Sequence, residues 1–90
     1  MLKEKKKPIG ESETDKEEFK KLILFNDEVN TFDFVIDSLV EVCEHDLMQA
    51  ENCAMIAHYK GKCAVKTGTF DELKPLHLGL SNRQLTVEIQ

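Results

Sequence analysis

The chain lacks any long apolar run. No stretch approaches the ~20 consecutive apolar residues of a membrane span, and the opening MLKEKKKP leads into the acidic ESETDKEE instead of the apolar core of a secretion signal. A cytoplasmic location is the expectation. It also lacks a basic stripe: against 12 Lys and Arg stand 17 Asp and Glu, a net charge of −5, and the one cationic cluster, Lys3 with Lys5 to Lys7, adjoins that acidic run. Binding nucleic acid by neutralising phosphates is therefore not expected. No Gly-rich phosphate or oxyanion loop occurs. Cys43, Cys53 and Cys63 are spaced too widely for a C-x-x-C zinc or redox motif and lie among apolar neighbours, so they read as buried, reduced thiols. His45, His58 and His77 match no metal-ligand spacing. No cofactor and no catalytic residue is expected.

What is present fits one small domain. The 90 residues can build a single modest core. Residues 1–18, rich in Lys, Asp and Glu, cannot bury enough surface to offset their ordering entropy and are expected to form a disordered N-terminal extension. The ordered core should cover 19–90. Phe19 to Phe25 is β-branched and aromatic enough for a strand, ended by the turn-forming Asn26-Asp27-Glu28. Asn30 or Thr31 can cap a helix over 32–44, where Phe32, Val35, Ile36, Leu39, Val42 and Cys43 recur at helical spacing. Asp46 and Gln49 open a second helix over about 47–60, stopped by Gly61. Residues 63–65 read as a short strand. Thr69 and Glu72 open a third helix that Pro75 should shorten or kink. Alternation over 84–89 makes a closing strand. The order β-α-α-β-α-β predicts an α+β fold: a small sandwich of a three-stranded sheet packed against helices.

Two places offer chemistry. One is the Asn26-Asp27-Glu28 turn; the other is His58, before Tyr59-Lys60-Gly61-Lys62. An acidic turn is ordinarily just solvated, and a histidine near a helix end is ordinarily a surface residue. Together they say more. If the topology brings Asn26, Asp27 and His58 to the rim of a hollow lined by Phe32, Val35, Ala54 and Ala57, acceptors for a cationic amine would flank a slot for its apolar substituent. That is the chemistry of α-amine capture. A thiol dyad with His58 is the rival enzymatic reading, but an activated cysteine needs an exposed electropositive setting.

The stretches LILFNDEVNTFDFVI (Leu22 to Ile36) and AHYKGK (Ala57 to Lys62) closely resemble the two signature segments of the ClpS family, the N-end-rule adaptors of the Clp protease. The resemblance runs from about Lys20 to Lys66. It implies a fold similar to the C-terminal domain of the ribosomal stalk protein and a non-enzymatic, monomeric adaptor without nucleic-acid or membrane partners. It further implies that Asn26, Asp27 and His58 hold the α-ammonium group of a substrate, that the chain around Asn30 touches it, and that Phe32, Val35, Ala54 and Ala57 receive the first side chain. A last wall would come from 83–85. The implied partners are a Clp-family AAA+ unfoldase of the ClpA or ClpC type acting with ClpP, and N-degron proteins beginning with Leu, Phe, Tyr or Trp. The alternative implied by the same tail and acidic surface is a module that docks on the ATPase without recognising degrons. Where the family often carries methionines, this chain has Phe32 and Ala54.

Overall fold

The computed structural model describes residues 18–90; the expected N-terminal extension, up to residue 17, lies outside them. Strand β1 (Phe19–Phe25) leads to helix α1 (Phe32–Cys43) and helix α2 (Leu47–Lys60). Strand β2 (Lys62–Thr69), helix α3 (Phe70–Asn82) and strand β3 (Val87–Ile89) follow. The sheet has three strands in the order β2-β1-β3, with β1 antiparallel to both neighbours. Because β1 is internal, Leu22, Ile23 and Leu24 are all buried, which is why the strand reads as a continuous apolar run instead of alternating. The architecture is the α+β arrangement expected.

Local side-chain chemistry sets the helix starts. The Thr31 hydroxyl accepts from the Phe34 N–H at 3.1 Å, and the Asp46 carboxylate accepts from the Gln49 N–H at 2.8 Å. At α3 the box is reciprocal: Thr69 Oγ1 accepts from the Glu72 N–H, and Glu72 Oε1 accepts from the Thr69 N–H. Each cap satisfies donors the first helical turn cannot. α1 ends at Cys43, with Glu44 at φ 59° as its cap.

Three boundaries differ from expectation. Pro75 does not shorten α3, which runs 13 residues from Phe70 to Asn82. The packing of Leu73 and Leu80, 1% and 0% exposed, outweighs the one lost backbone hydrogen bond. β2 is longer than residues 63–65, because pairing with β1 recruits the polar Lys66-Thr67-Gly68. β3 is shorter than 84–89: Gln84 adopts φ 70° and turns the chain before pairing begins.

One irregularity explains a buried histidine. The β1–β2 register passes from Leu22↔Lys66 to Ile23↔Ala64, so Val65 is the extra residue of a bulge. The carbonyl it releases from the ladder accepts from His45 Nε2 at 2.7 Å, and His45 is only 4% exposed. That bond fixes the proton on Nε2 and leaves Nδ1 buried without a partner among the described residues.

The core joins Leu22 and Leu24 of β1 to Leu39 of α1, Ala50 of α2, and Leu73 and Leu80 of α3. α3 approaches α1 closely at Gly79, where a Cβ would stand 2.9 Å from a Val42 methyl. Beside this contact Arg83 Nη1 donates to the buried Ser38 Oγ at 3.4 Å, and Nη2 pairs with Glu41 at 2.8 Å.

Candidate functional site: an apolar cavity with an acceptor-rich lip

The end of β1 and the end of α2 are joined through the main chain. The Asn26 N–H donates to the Gly61 carbonyl at 2.9 Å, and the Gly61 N–H donates to the Ala57 carbonyl at 2.9 Å. Gly61 closes α2 at φ 96°, a backbone region where a side chain is strained. This stitch carries His58, one turn before the helix end, to the same side as Asn26. On the other flank the Phe25 N–H donates to the Thr86 carbonyl at 2.9 Å.

Between these elements lies a cavity of about 340 Å³. It is at the small end of the ~300–1,000 Å³ typical of ligand pockets. Asn26, Asp27, Asn30, Phe32, Val35, Ala54, Ala57 and His58 all line it, so every site residue singled out in the sequence meets in one place. Leu24, Phe25 and Glu28 complete the lining. Glu28 belongs to the turn singled out in the sequence; Leu24 and Phe25 were missed, although they close the same strand that delivers Asn26. The wall anticipated from 83–85 is not there. Instead the Gln84 carbonyl accepts from Asn30 Nδ2 at 3.0 Å, so the C-terminal turn braces the loop from outside.

The turn after β1 is organised by Asp27. Its Oδ1 accepts from the backbone N–H groups of Val29 (2.9 Å) and Asn30 (2.8 Å), and its Oδ2 accepts from Asn30 Nδ2 at 3.1 Å. Both hydrogens of the Asn30 amide are thus spent, on Asp27 and on Gln84, and its backbone N–H is spent as well. What Asn30 can still offer a guest is acceptor oxygen. The Tyr59 ring packs edge-on against the His58 imidazole at 4.9 Å, restricting its orientation. The lining holds two carboxylates, two carboxamides and an imidazole but no Lys or Arg. Its electrostatics therefore suit a cation.

Burial pushes the Asp27 carboxyl up, but the hydrogen bonds from Asn30 and Val29 outweigh it and hold the group below its ordinary 3.8. A depressed folded-state value means the turn gains stability that is complete above the ordinary value and lost as pH falls through the depressed one. The amide resonances of Val29 and Asn30 should accordingly shift on acidification with a midpoint below pH 3.8. A transition centred above that value would contradict the hydrogen-bond assignment.

The cysteines play no part in the lining. All three are free and buried. Burial raises the Cys43 thiol to about 11, offset in part by Lys66. Burial, with a hydrogen bond to Cys63, raises Cys53 to about 12. Such thiols stay protonated at neutral pH, the opposite of an activated nucleophile. His45 and His77 are each tied to a backbone carbonyl, and no cluster of three or more metal-ligating side chains occurs among the described residues.

The fold and the cavity together define a small α+β domain with an apolar slot beneath an acceptor-rich lip. The family profile described as "ATP-dependent Clp protease adaptor protein ClpS" matches residues 15–85. The chain belongs to the ClpS family of Clp protease adaptors. It is 33% identical over 66 residues to the ATP-dependent Clp protease adapter protein ClpS of Sodalis glossinidius, covering 71% of this chain and 62% of that protein. The Serratia proteamaculans protein of the same name is 35% identical with the same coverage. That of Erwinia tasmaniensis is 37% identical over 60 residues, 64% of this chain and 57% of the relative. The matched region thus spans about 62% of the first relatives' length. The structure of Agrobacterium tumefaciens ClpS2 bound to L-phenylalaninamide matches with a TM-score of 0.72, covering 80% of this chain and 94% of that one. At 20% identity that likeness speaks to the fold. No helix among the described residues is long and apolar enough to cross a membrane.

Proposed function

We propose that this adaptor captures proteins by their free N-terminal residue and delivers them to a Clp-type ATPase and its protease. In this reading the α-ammonium group sits at the lip, within reach of Asn26 Oδ1, the Asp27 carboxylate and an unprotonated nitrogen of His58. The first side chain enters between Phe32, Val35, Ala54 and Ala57. The ligand of the related ClpS2, L-phenylalaninamide, has the required chemistry of a free amine beside an apolar side chain.

The single observation that carries the proposal is the composition of the lip: acceptors and negative charge, with no cationic side chain, directly above an apolar floor. A cation placed there satisfies groups that would otherwise compete for water. Burying an apolar first side chain contributes about 1.5–3 kcal/mol, and each charge-assisted hydrogen bond contributes about 1.5–3 kcal/mol. Set against several kcal/mol of association cost, these contributions leave a reversible interaction. That suits a receptor which must release its cargo.

The test is calorimetric. A short peptide beginning with Phe should bind, and its N-acetylated twin should bind at least about a hundredfold more weakly, because acetylation removes the charge and leaves the acceptors unmatched. Equal affinity for both peptides, or no binding of either, would overturn the capture reading and leave a module that only docks on the ATPase.

A further inference from the structure

Helix α3 ends in a way that reaches the lip. The Gln84 N–H donates to the Ser81 carbonyl at 2.9 Å, and the Leu85 N–H donates back to the Leu80 carbonyl at 3.1 Å. Those are the two bonds of a Schellman motif, which puts the residue after the helix cap in the left-handed backbone region. Leu80 and Leu85 complete it as a buried apolar pair, 0% and 4% exposed. Glycine usually fills that position, because it alone adopts the conformation freely. Here the residue is Gln84, at φ 70°. Among the described residues its exposed side chain makes no hydrogen bond, whereas its carbonyl accepts from Asn30 Nδ2 at 3.0 Å.

That bond decides which way Asn30 faces. One amide hydrogen goes to the Gln84 carbonyl and the other to Asp27 Oδ2 at 3.1 Å. Turned over, the amide would set its oxygen against a carbonyl and a carboxylate, so the network fixes one orientation. Oδ1 is left as the free end of a residue that lines the cavity. The turn is also anchored behind: Arg83, the residue before Gln84, donates to Ser38 Oγ and to Glu41 on α1. Without the Gln84 carbonyl, the Asn30 amide could rotate and offer a cationic guest a donor as readily as an acceptor.

We infer that Gln84 is a positioning residue of the capture site: its left-handed main chain aims the carbonyl that holds the Asn30 amide with its oxygen free for a guest, a role that rests on the capture of free N-termini proposed above. The backbone conformation at position 84, and not the side chain, is then the property that counts. A substitution that keeps the turn should leave capture intact, and one that opposes it should weaken capture through Asn30.

The experiment compares Gln84→Gly, which keeps the left-handed turn, with Gln84→Val, whose β-branched side chain opposes it. A peptide with a free N-terminal Phe and its acetylated twin are titrated by calorimetry, and the Asn30 side-chain amide is followed by NMR. Gln84→Gly should bind the free peptide within about twofold of wild type. Gln84→Val should bind it about two- to tenfold more weakly, the worth of one hydrogen bond, and its Asn30 amide hydrogens should exchange faster with solvent. In an Asn30→Ala background the glycine and valine variants should bind alike, because the brace then ends on nothing. Circular dichroism monitors folding; if the valine variant does not fold, Arg83→Ala, which releases the same turn from α1, takes its place with the same expected direction. Unchanged affinity or unchanged amide exchange in the folded variant overturns the role of Gln84. So does an equal loss in the Asn30→Ala background, or a loss in Gln84→Gly as large as in Gln84→Val. Wild-type binding that acetylation does not weaken removes the capture reading and this role with it, whereas failure of the brace alone leaves that discrimination intact.

Discussion

Replacing Asp27 with alanine should weaken binding of a free-amine peptide by about ten- to a hundredfold, while the unfolding temperature moves by only a few degrees. The carboxylate has two duties. It supplies negative charge at the lip, and it holds the turn by accepting from the Val29 and Asn30 backbones and from the Asn30 side chain. Its loss removes a charge-assisted partner of the amine, at about 1.5–3 kcal/mol, and also frees Asn30 to rotate away from Gln84. Stability changes little because the turn is solvent-facing: Val29, at its tip, is 85% exposed. The unsatisfied N–H groups can turn to water. Asp27→Asn should fall between the two, since its amide oxygen can still accept from the backbone while the charge is gone. Wild-type affinity in the alanine variant, by calorimetry, would remove Asp27 from the recognition site.

The largest effect on stability is expected from Leu39→Ala. Leu39 is 0% exposed and belongs to the core cluster that joins β1 to the helices. Deleting its side chain costs the transfer energy of the lost carbons and leaves a cavity that close-packed neighbours cannot collapse, about 2–5 kcal/mol together. For a domain of this size that corresponds to a drop in Tm of at least about 10 °C. Urea unfolding followed by circular dichroism should show the same loss as a lower midpoint at unchanged slope. Val29→Ala, with no packing to lose, should stay within about 0.5 kcal/mol of wild type. A loss below 1 kcal/mol in Leu39→Ala would mean that α1 is not held to the sheet through this residue.

The elements most legible in the sequence are those set by chemistry within a few residues. Thr31, Asp46 and Thr69 act on N–H groups one turn away, and Gly61 supplies a conformation no other residue adopts cheaply, so α1, α2 and the start of α3 can be read directly. Less legible is whatever depends on a distant partner. Lys66, Thr67 and Gly68 look like a loop until β1 is laid beside them. Pro75 looks like a helix breaker until the burial of Leu73 and Leu80 is weighed against it. The gathering of the candidate site was legible for a different reason: the N-D-E turn and the H-Y-K-G-K segment formed a family resemblance. The geometric cause, the hydrogen bond from Asn26 to Gly61, involves main-chain atoms that leave no mark on side-chain identity. Gln84 bracing Asn30 through its carbonyl is hidden for the same reason.

That main-chain link separates two kinds of constraint. The scaffold demands a glycine at position 61, which does not border the cavity, and asks nothing of the side chains at 26 or 58. In the capture reading proposed above, the side chains at 26 and 58 are thus free to serve recognition alone, whereas Asp27 must also hold the turn that presents them.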